Sequence, residues 1–164
     1  MKNSRNLLAT IGFLFVSTGV IAAEDLILGF ELGGTLQQAK DHAQLEGWIL
    51  RPHSADRRQR LWVIEGADAT LEVCKDRVFG VTRFFEGGVD EFAALEARVQ
   101  RSILNWSPTT TIQRLGSGNE RISLIDAVFA ADDGSRTIVR LRSTNGEVDV
   151  RLLTWLTSAC SVDE

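Results

Sequence analysis

The stretch from Arg136 to Trp155 constrains the fold more than any other, because it turns back on itself at Asn145-Gly146. That dipeptide supplies the positive φ angles of a two-residue type I′ turn, so Arg136 to Arg142 and Glu147 to Trp155 are predicted to pair as antiparallel strands. A two-residue turn also sets the register: Thr144 faces Glu147, Arg142 faces Asp149, Leu141 faces Val150, Arg140 faces Arg151 and Val139 faces Leu152. Side chains alternate along a strand, so Val139, Leu141, Val148, Val150 and Leu152 share one face. Arg140, Arg142, Asp149 and Arg151 share the other, with Ile138, Leu153 and Trp155 farther along it. The first set is a core face. On the second, Arg142 with Asp149 is a favourable cross-strand pair, whereas Arg140 directly opposite Arg151 opposes like charges and destabilises the sheet.

A sheet with one apolar face needs a covering layer, and two helical segments supply it. Thr35 is placed as an N-cap with Gln38 three residues on, a capping box, and the helix Leu36 to Glu46 ends at Gly47. Asp90 is placed as the cap of a longer helix in which Phe92, Leu95, Val99, Ile103 and Trp106 recur at helical spacing, with Pro108 as its stop. Strands are predicted after each helix. Leu61 to Glu65, Thr70 to Lys75 and Val78 to Phe85, with a tight turn at Asp76-Arg77, follow the first; Ile122 to Ala130, Arg136 to Arg142 and Glu147 to Trp155, with Asp133-Gly134 between the first two, follow the second. The expected fold is α+β, two helices packed on one face of an antiparallel sheet. The doubled order points to a tandem of α-β-β-β units, residues 30–86 and 88–157, although no residue-by-residue identity links the halves.

The first 23 residues say where this fold works. Lys2 and Arg5 precede an apolar stretch from Leu7 to Ile21, and Ala22-Ala23 offers small residues to a peptidase, the pattern of a secretory signal peptide. Residues 1–23 are therefore read as a removed signal and 24–164 as one domain, soluble in the periplasm or outside the cell, with no membrane anchor after cleavage. The full chain has 18 basic and 22 acidic residues; without Lys2 and Arg5 the balance is 16 to 22, a formal charge of −6. An acidic chain of this kind argues against a nucleic-acid partner. In an oxidising compartment the two cysteines, Cys74 and Cys160, read as one disulfide. It would close a loop of 86 residues and constrain the unfolded chain by about 4 to 5 kcal/mol.

The segment Gly33 to Gly47, GGTLQQAKDHAQLEG, is followed by a hairpin carrying Leu71-Glu72-Val73 and Lys75-Asp76-Arg77-Val78. It resembles the opening unit of the SmpA/OmlA and beta-lactamase-inhibitor-protein-like group, over about a third of the chain. The resemblance implies an exported protein with a helical layer on an antiparallel sheet. It also implies binding of other proteins, as an inhibitor or as an accessory subunit of envelope assembly, and assigns no residue a role. Two departures separate this chain from those proteins: it lacks the acceptor cysteine of the lipoprotein members, and it has one cysteine pair where the inhibitors commonly have two disulfides.

Residues that carry chemistry are sparse. His42 neighbours Asp41, and His53 stands in a loop as His-Ser-Ala-Asp with Asp56, but no third or fourth donor joins either, so no metal site is assigned. No G-x-S-x-G elbow is present. Asp132-Asp133 beside Gly134 is turn chemistry, and Gly33-Gly34 lacks the surroundings of a nucleotide loop, so no catalytic residue and no cofactor are named. What remains is a sheet face that is apolar in part. Leu61 to Ile64 is apolar on both faces, with Trp62 and Ile64 opposite Leu61 and Val63, and tryptophan with arginine marks protein interfaces. Trp62, Arg140, Arg142, Arg151 and Trp155 are the candidate partner-binding residues. The leading expectation is an exported protein-binding module, whether inhibitor, immunity factor or envelope-assembly accessory, that recognises another envelope or extracellular protein. The alternatives are an envelope hydrolase with dispersed catalytic residues and a binder of a small apolar ligand. The competing account of the face itself is cover by the loop Arg51 to Arg60 or by the tail held at Cys160.

Overall fold

The register dictated by Asn145-Gly146 is realised in full. Both turn residues have positive φ, +52° and +95°, and the pairs from Thr144 with Glu147 to Val139 with Leu152 are Cα partners. Asn145 also ties the turn to the next strand, its N–H donating to the Arg121 carbonyl and its side-chain oxygen accepting from the Arg121 N–H, both at 3.0 Å. In this computed structural model residues 26–56, 58, 60–102, 108–117 and 120–157 are described.

The element order is α1 (Leu36–Leu45), β1 (Ile49–Pro52), β2 (Leu61–Glu65), β3 (Ala69–Cys74), β4 (Arg77–Phe85), α2 (Val89–Ser102), β5 (Thr109–Ser117), β6 (Glu120–Ala130), β7 (Ser135–Thr144) and β8 (Glu147–Leu156). Each helix is thus followed by four strands, not the three expected. The additional strands, β1 and β5, are the two edges of one eight-stranded antiparallel sheet ordered β1-β2-β3-β4-β8-β7-β6-β5. Six of its seven pairings join strands adjacent in the chain, and β4 with β8 joins the two sets. The turn between β3 and β4 is centred on Lys75-Asp76, φ +49° and +62°, one residue earlier than predicted.

Both helices pack on the same face. Thr35 forms the capping box with Gln38, and Ala39 and Ala43 bury α1 against Trp62, Ile64, Leu71 and Val81. α2 begins two residues earlier than Asp90 implies: the Phe92 N–H donates to the Gly88 carbonyl at 3.0 Å. Asp90 and Glu91 instead fill its first turn, where acidic side chains favour the helix dipole. Leu95 and Val99 pack on Ala127, Val139, Leu141, Val150 and Leu152; Ile103 and Trp106 lie outside the described residues. The segment before α1, for which no element is predicted, contributes to both clusters, Leu26 to that of α2 and Phe30 to that of α1. Among the described residues no helix is long and apolar enough to cross a membrane.

Leu152 is 1% exposed and faces Arg83 on one neighbouring strand and Val139 on the other, at the joint between the two strand sets. Leu152→Ala is expected to lower the unfolding free energy by about 2 to 5 kcal/mol in a denaturant titration, as truncations in a close-packed core do.

Candidate functional site

The face away from the helices is built from the alternate residues of the same strands. One row crosses all eight: Arg51, Val63, Thr70, Thr82, Leu153, Ile138, Val128 and Thr109. A second runs Phe84, Arg151, Arg140, Asp126 and Thr111, and a third runs Leu61, Glu72, Gly80, Trp155 and Arg136. Arg140, Arg142, Arg151 and Trp155 therefore lie together on this helix-free face, beside Leu153 and Ile138.

Trp62 does not lie there. Pairing with Leu71 turns it to the helix side, where it is 9% exposed within the α1 core and the Lys40 ammonium sits 4.8 Å from its ring centroid. It is a core residue of this fold, because a strand apolar on both faces leaves the choice of face to its neighbours.

The opposed arginines are each claimed by a carboxylate. Arg140 makes a bidentate bond to Asp126 of β6, Nε to Oδ1 at 2.8 Å and Nη2 to Oδ2 at 2.7 Å. The Asp126 side chain is only 6% exposed, and its hydrogen bond holds the Arg140 guanidinium above its ordinary pKa. Arg151 turns along its own strand to Asp149, Nε to Oδ1 at 2.5 Å and Nη2 to Oδ2 at 3.2 Å, and lies 5.2 Å from the Phe84 ring centroid. The cross-strand ion pair expected between Arg142 and Asp149 is absent, since Asp149 bonds Arg151 and the Arg142 Nε donates to Thr144 Oγ1 at 3.0 Å. Asp126 was the residue that sequence reading overlooked. Its signal is a lone acid in the apolar run Ile122 to Phe129, where a buried carboxylate requires a partner.

Cys74 ends β3; Cys160, its expected disulfide partner, lies outside the described residues. The two histidines serve local structure. His42 is hydrogen-bonded to the Leu28 carbonyl at 2.8 Å and packs edge-on to Phe30, and His53 Nδ1 accepts from the Ala55 N–H. The Asp56 carboxylate accepts from the backbone N–H groups of Leu61, Arg58 and Arg60, which hold it below the usual carboxylate range. Among the described residues no group of three or more His, Cys, Asp or Glu side chains could hold a metal ion.

Two features make this face receptive. A groove of about 620 Å³ opens over Val63, Thr70 and Phe84, with Glu65, Asp68, Glu86 and Asp149 among its walls. Phe84 is 39% exposed within it. In the third row, Gly80 leaves a notch between Glu72 and Trp155, whose β-carbons would touch any side chain there at 3.5 and 3.4 Å. Burial beside that notch pushes the Glu72 carboxyl above its ordinary pKa. No protein-family model, no curated protein and no solved structure matches this chain.

Asp126→Ala, which strips a buried bidentate partner from Arg140, is expected to cost about 2 to 3 kcal/mol in chemical denaturation, the scale of hydrogen bonds to charged groups. Glu72 has the opposite sign. Its folded-state pKa is raised, so the folded form is favoured below the ordinary glutamate range and loses that advantage as pH rises through the raised value. Glu72→Gln should therefore raise the melting temperature at pH 7 and leave it unchanged near pH 3, as thermal scans at the two values will show.

Proposed function

We propose that this chain is an exported protein-binding module that recognises another envelope or extracellular protein through the helix-free face of its sheet. One observation carries the reading: Trp155, Leu153 and Phe84 stand on adjacent strands of a rigid sheet, with no helix of the described residues packed over them, beside a groove. Large apolar and aromatic side chains held on fixed backbone are the anchors around which protein interfaces concentrate their energy. Arg140 and Arg151, bound by Asp126 and Asp149, serve this reading as positioned frame, and exposed Arg136 beside Trp155 supplies a charge to the face. With Glu65 paired to Arg51 and Asp149 to Arg151, the groove's Asp68 and Glu86 fit a partner that brings lysine or arginine to the Phe84 end.

Neither alternative gains a comparable feature. Both histidines are engaged in local bonds, and the groove is open at the surface, whereas small apolar ligands are buried over most of their surface.

The test is an affinity capture from envelope extract with the exported form of the chain, followed by binding measurements on the stoichiometric partner. Trp155→Ala and Phe84→Ala should each weaken that complex by about 1 to 2 kcal/mol or more with circular dichroism unchanged. A partner held equally well by both variants would remove the face from the function.

A further inference from the structure

The two edges of the sheet are made differently. β1 is four residues long and ends in Pro52, which has no N–H to offer, and its Arg51 is ion-paired with Glu65 at 3.2 Å. Short length, proline and charge are devices that prevent another strand from adding. β5 has none of these beyond one arginine. It is nine residues long, about 30 Å at the usual rise per residue. It pairs with β6 without a register break and contains no proline and no lysine. Every residue from Thr109 to Gly116 is exposed, with Ile112 at 70% and Leu115 at 52% on opposite faces. Among the described residues no strand lies beyond it. A strand bonded on one side presents a row of unmet N–H and C=O groups on the other.

We propose that β5 pairs antiparallel with β5 of a second copy of this chain, about a two-fold axis at Gln113, so that one sheet runs through a dimer. The strand is its own complement in that register. Thr109 faces the backbone position of Ser117, Thr110 faces Gly116, Thr111 faces Leu115 and Ile112 faces Arg114, so no like charges oppose and the nine residues match end to end. Each Leu115 gains the methyl of a Thr111, and each Ile112 gains the aliphatic stem of an Arg114. Two-fold pairing also closes the assembly. The unguarded edges of both copies vanish together, and the edges left at the two ends are both β1, the guarded kind. A foreign strand would guard one edge and expose its own.

The test is sedimentation velocity on the exported chain from about 1 to 500 μM, the range appropriate to a contact at the small end of interface sizes. A reversible monomer–dimer equilibrium with a micromolar dissociation constant is expected. Ile112→Lys sets a second cation against the partner's Arg114 twice per dimer and should weaken association about tenfold, while Ile112→Glu sets an anion there and should tighten it severalfold. Ile112 is solvent-exposed in the single chain, so both variants should keep the wild-type melting temperature when dilute. Hydrogen exchange at residues 110–116 should slow on concentrating the wild type and not Ile112→Lys. A chain that stays monomeric across the range would overturn the proposal. So would dimerisation that Lys and Glu at position 112 alter alike or leave unchanged, or β5 amides that become protected only when a foreign partner is added. None of these results depends on whether the helix-free face binds a partner.

Discussion

The pairing of β4 with β8 holds this molecule together as one sheet. Six residue pairs, from Gly80 with Trp155 to Phe85 with Val150, connect strands that lie far apart in the chain, whereas every other ladder links neighbours in sequence. The six other pairings join strands close together in sequence, at small entropic cost, and this one requires the chain to bring its last strand back to its middle. What rewards that closure is visible at the seam. Val150 and Leu152 complete the α2 core, Val81 belongs to the α1 core, and the buried hydroxyls of Thr137 and Thr154 bond each other at 3.2 Å between them. The segment from Leu26 to Phe30 reinforces the joint by placing Leu26 in one cluster and Phe30, with Ile27 and Leu28 packed beside it, in the other.

The same pairing creates the surface on which the functional reading rests. Because β4 and β8 are adjacent, Phe84 comes to lie beside Arg151, and Trp155 beside Gly80 and its notch. The charges between them are arranged by burial. Two arginines directly opposed across β7 and β8 would repel, and the fold resolves this by giving each a different carboxylate, one across the sheet and one along the strand. Asp126 thus bears the cost of being buried to fix Arg140, and the pair contributes orientation more than net stability, since desolvation offsets much of the attraction.

How much of this could be read from sequence follows from how each part signals itself. The register of the β7–β8 hairpin was legible to the residue because Asn145-Gly146 fixes a turn and one face is buried at Val139, Leu141, Val150 and Leu152; Val148, expected in that core face, sits beside the turn and is 46% exposed. The capping box at Thr35 and Gln38 was legible for the same kind of reason, a local bond with a spacing. β1 and β5 were not. Alternation appears only where one face is covered and the other wet, and β5 is exposed on both, so Thr-Thr-Thr-Ile-Gln-Arg-Leu carries no period; β1 is short and contains a proline. Trp62 was legible as important and not as to its face, because Leu61 to Ile64 is apolar on both sides and only pairing with β3 decides between them. The ion pairs were half legible: the register placed Arg140 against Arg151, but the relief came from β6, where Asp133-Gly134 signals a turn into β7 without settling its length, and so without setting Asp126 opposite Arg140.

A sheet has two faces and two edges to satisfy, and this chain settles half of them internally. Helices cover one face, and Pro52 with the Arg51–Glu65 pair guards one edge. The remaining face and edge use different chemistry. The face offers side chains on fixed backbone, and the edge offers a row of backbone groups whose flanking side chains, Ile112 and Arg114 among them, bias the choice of strand. They are also apart: β5 is four strands from β4, about 19 Å at the usual spacing between strands, so occupation of one leaves the Phe84 groove clear. In the proposed dimer the two-fold axis stands normal to the sheet, because opposed residues of antiparallel strands share a face. Both helix-free faces then look the same way from one continuous sheet. Such a pair can engage a dimeric or repetitive partner at two points, and the second contact forms at the high effective concentration that a rigid link provides.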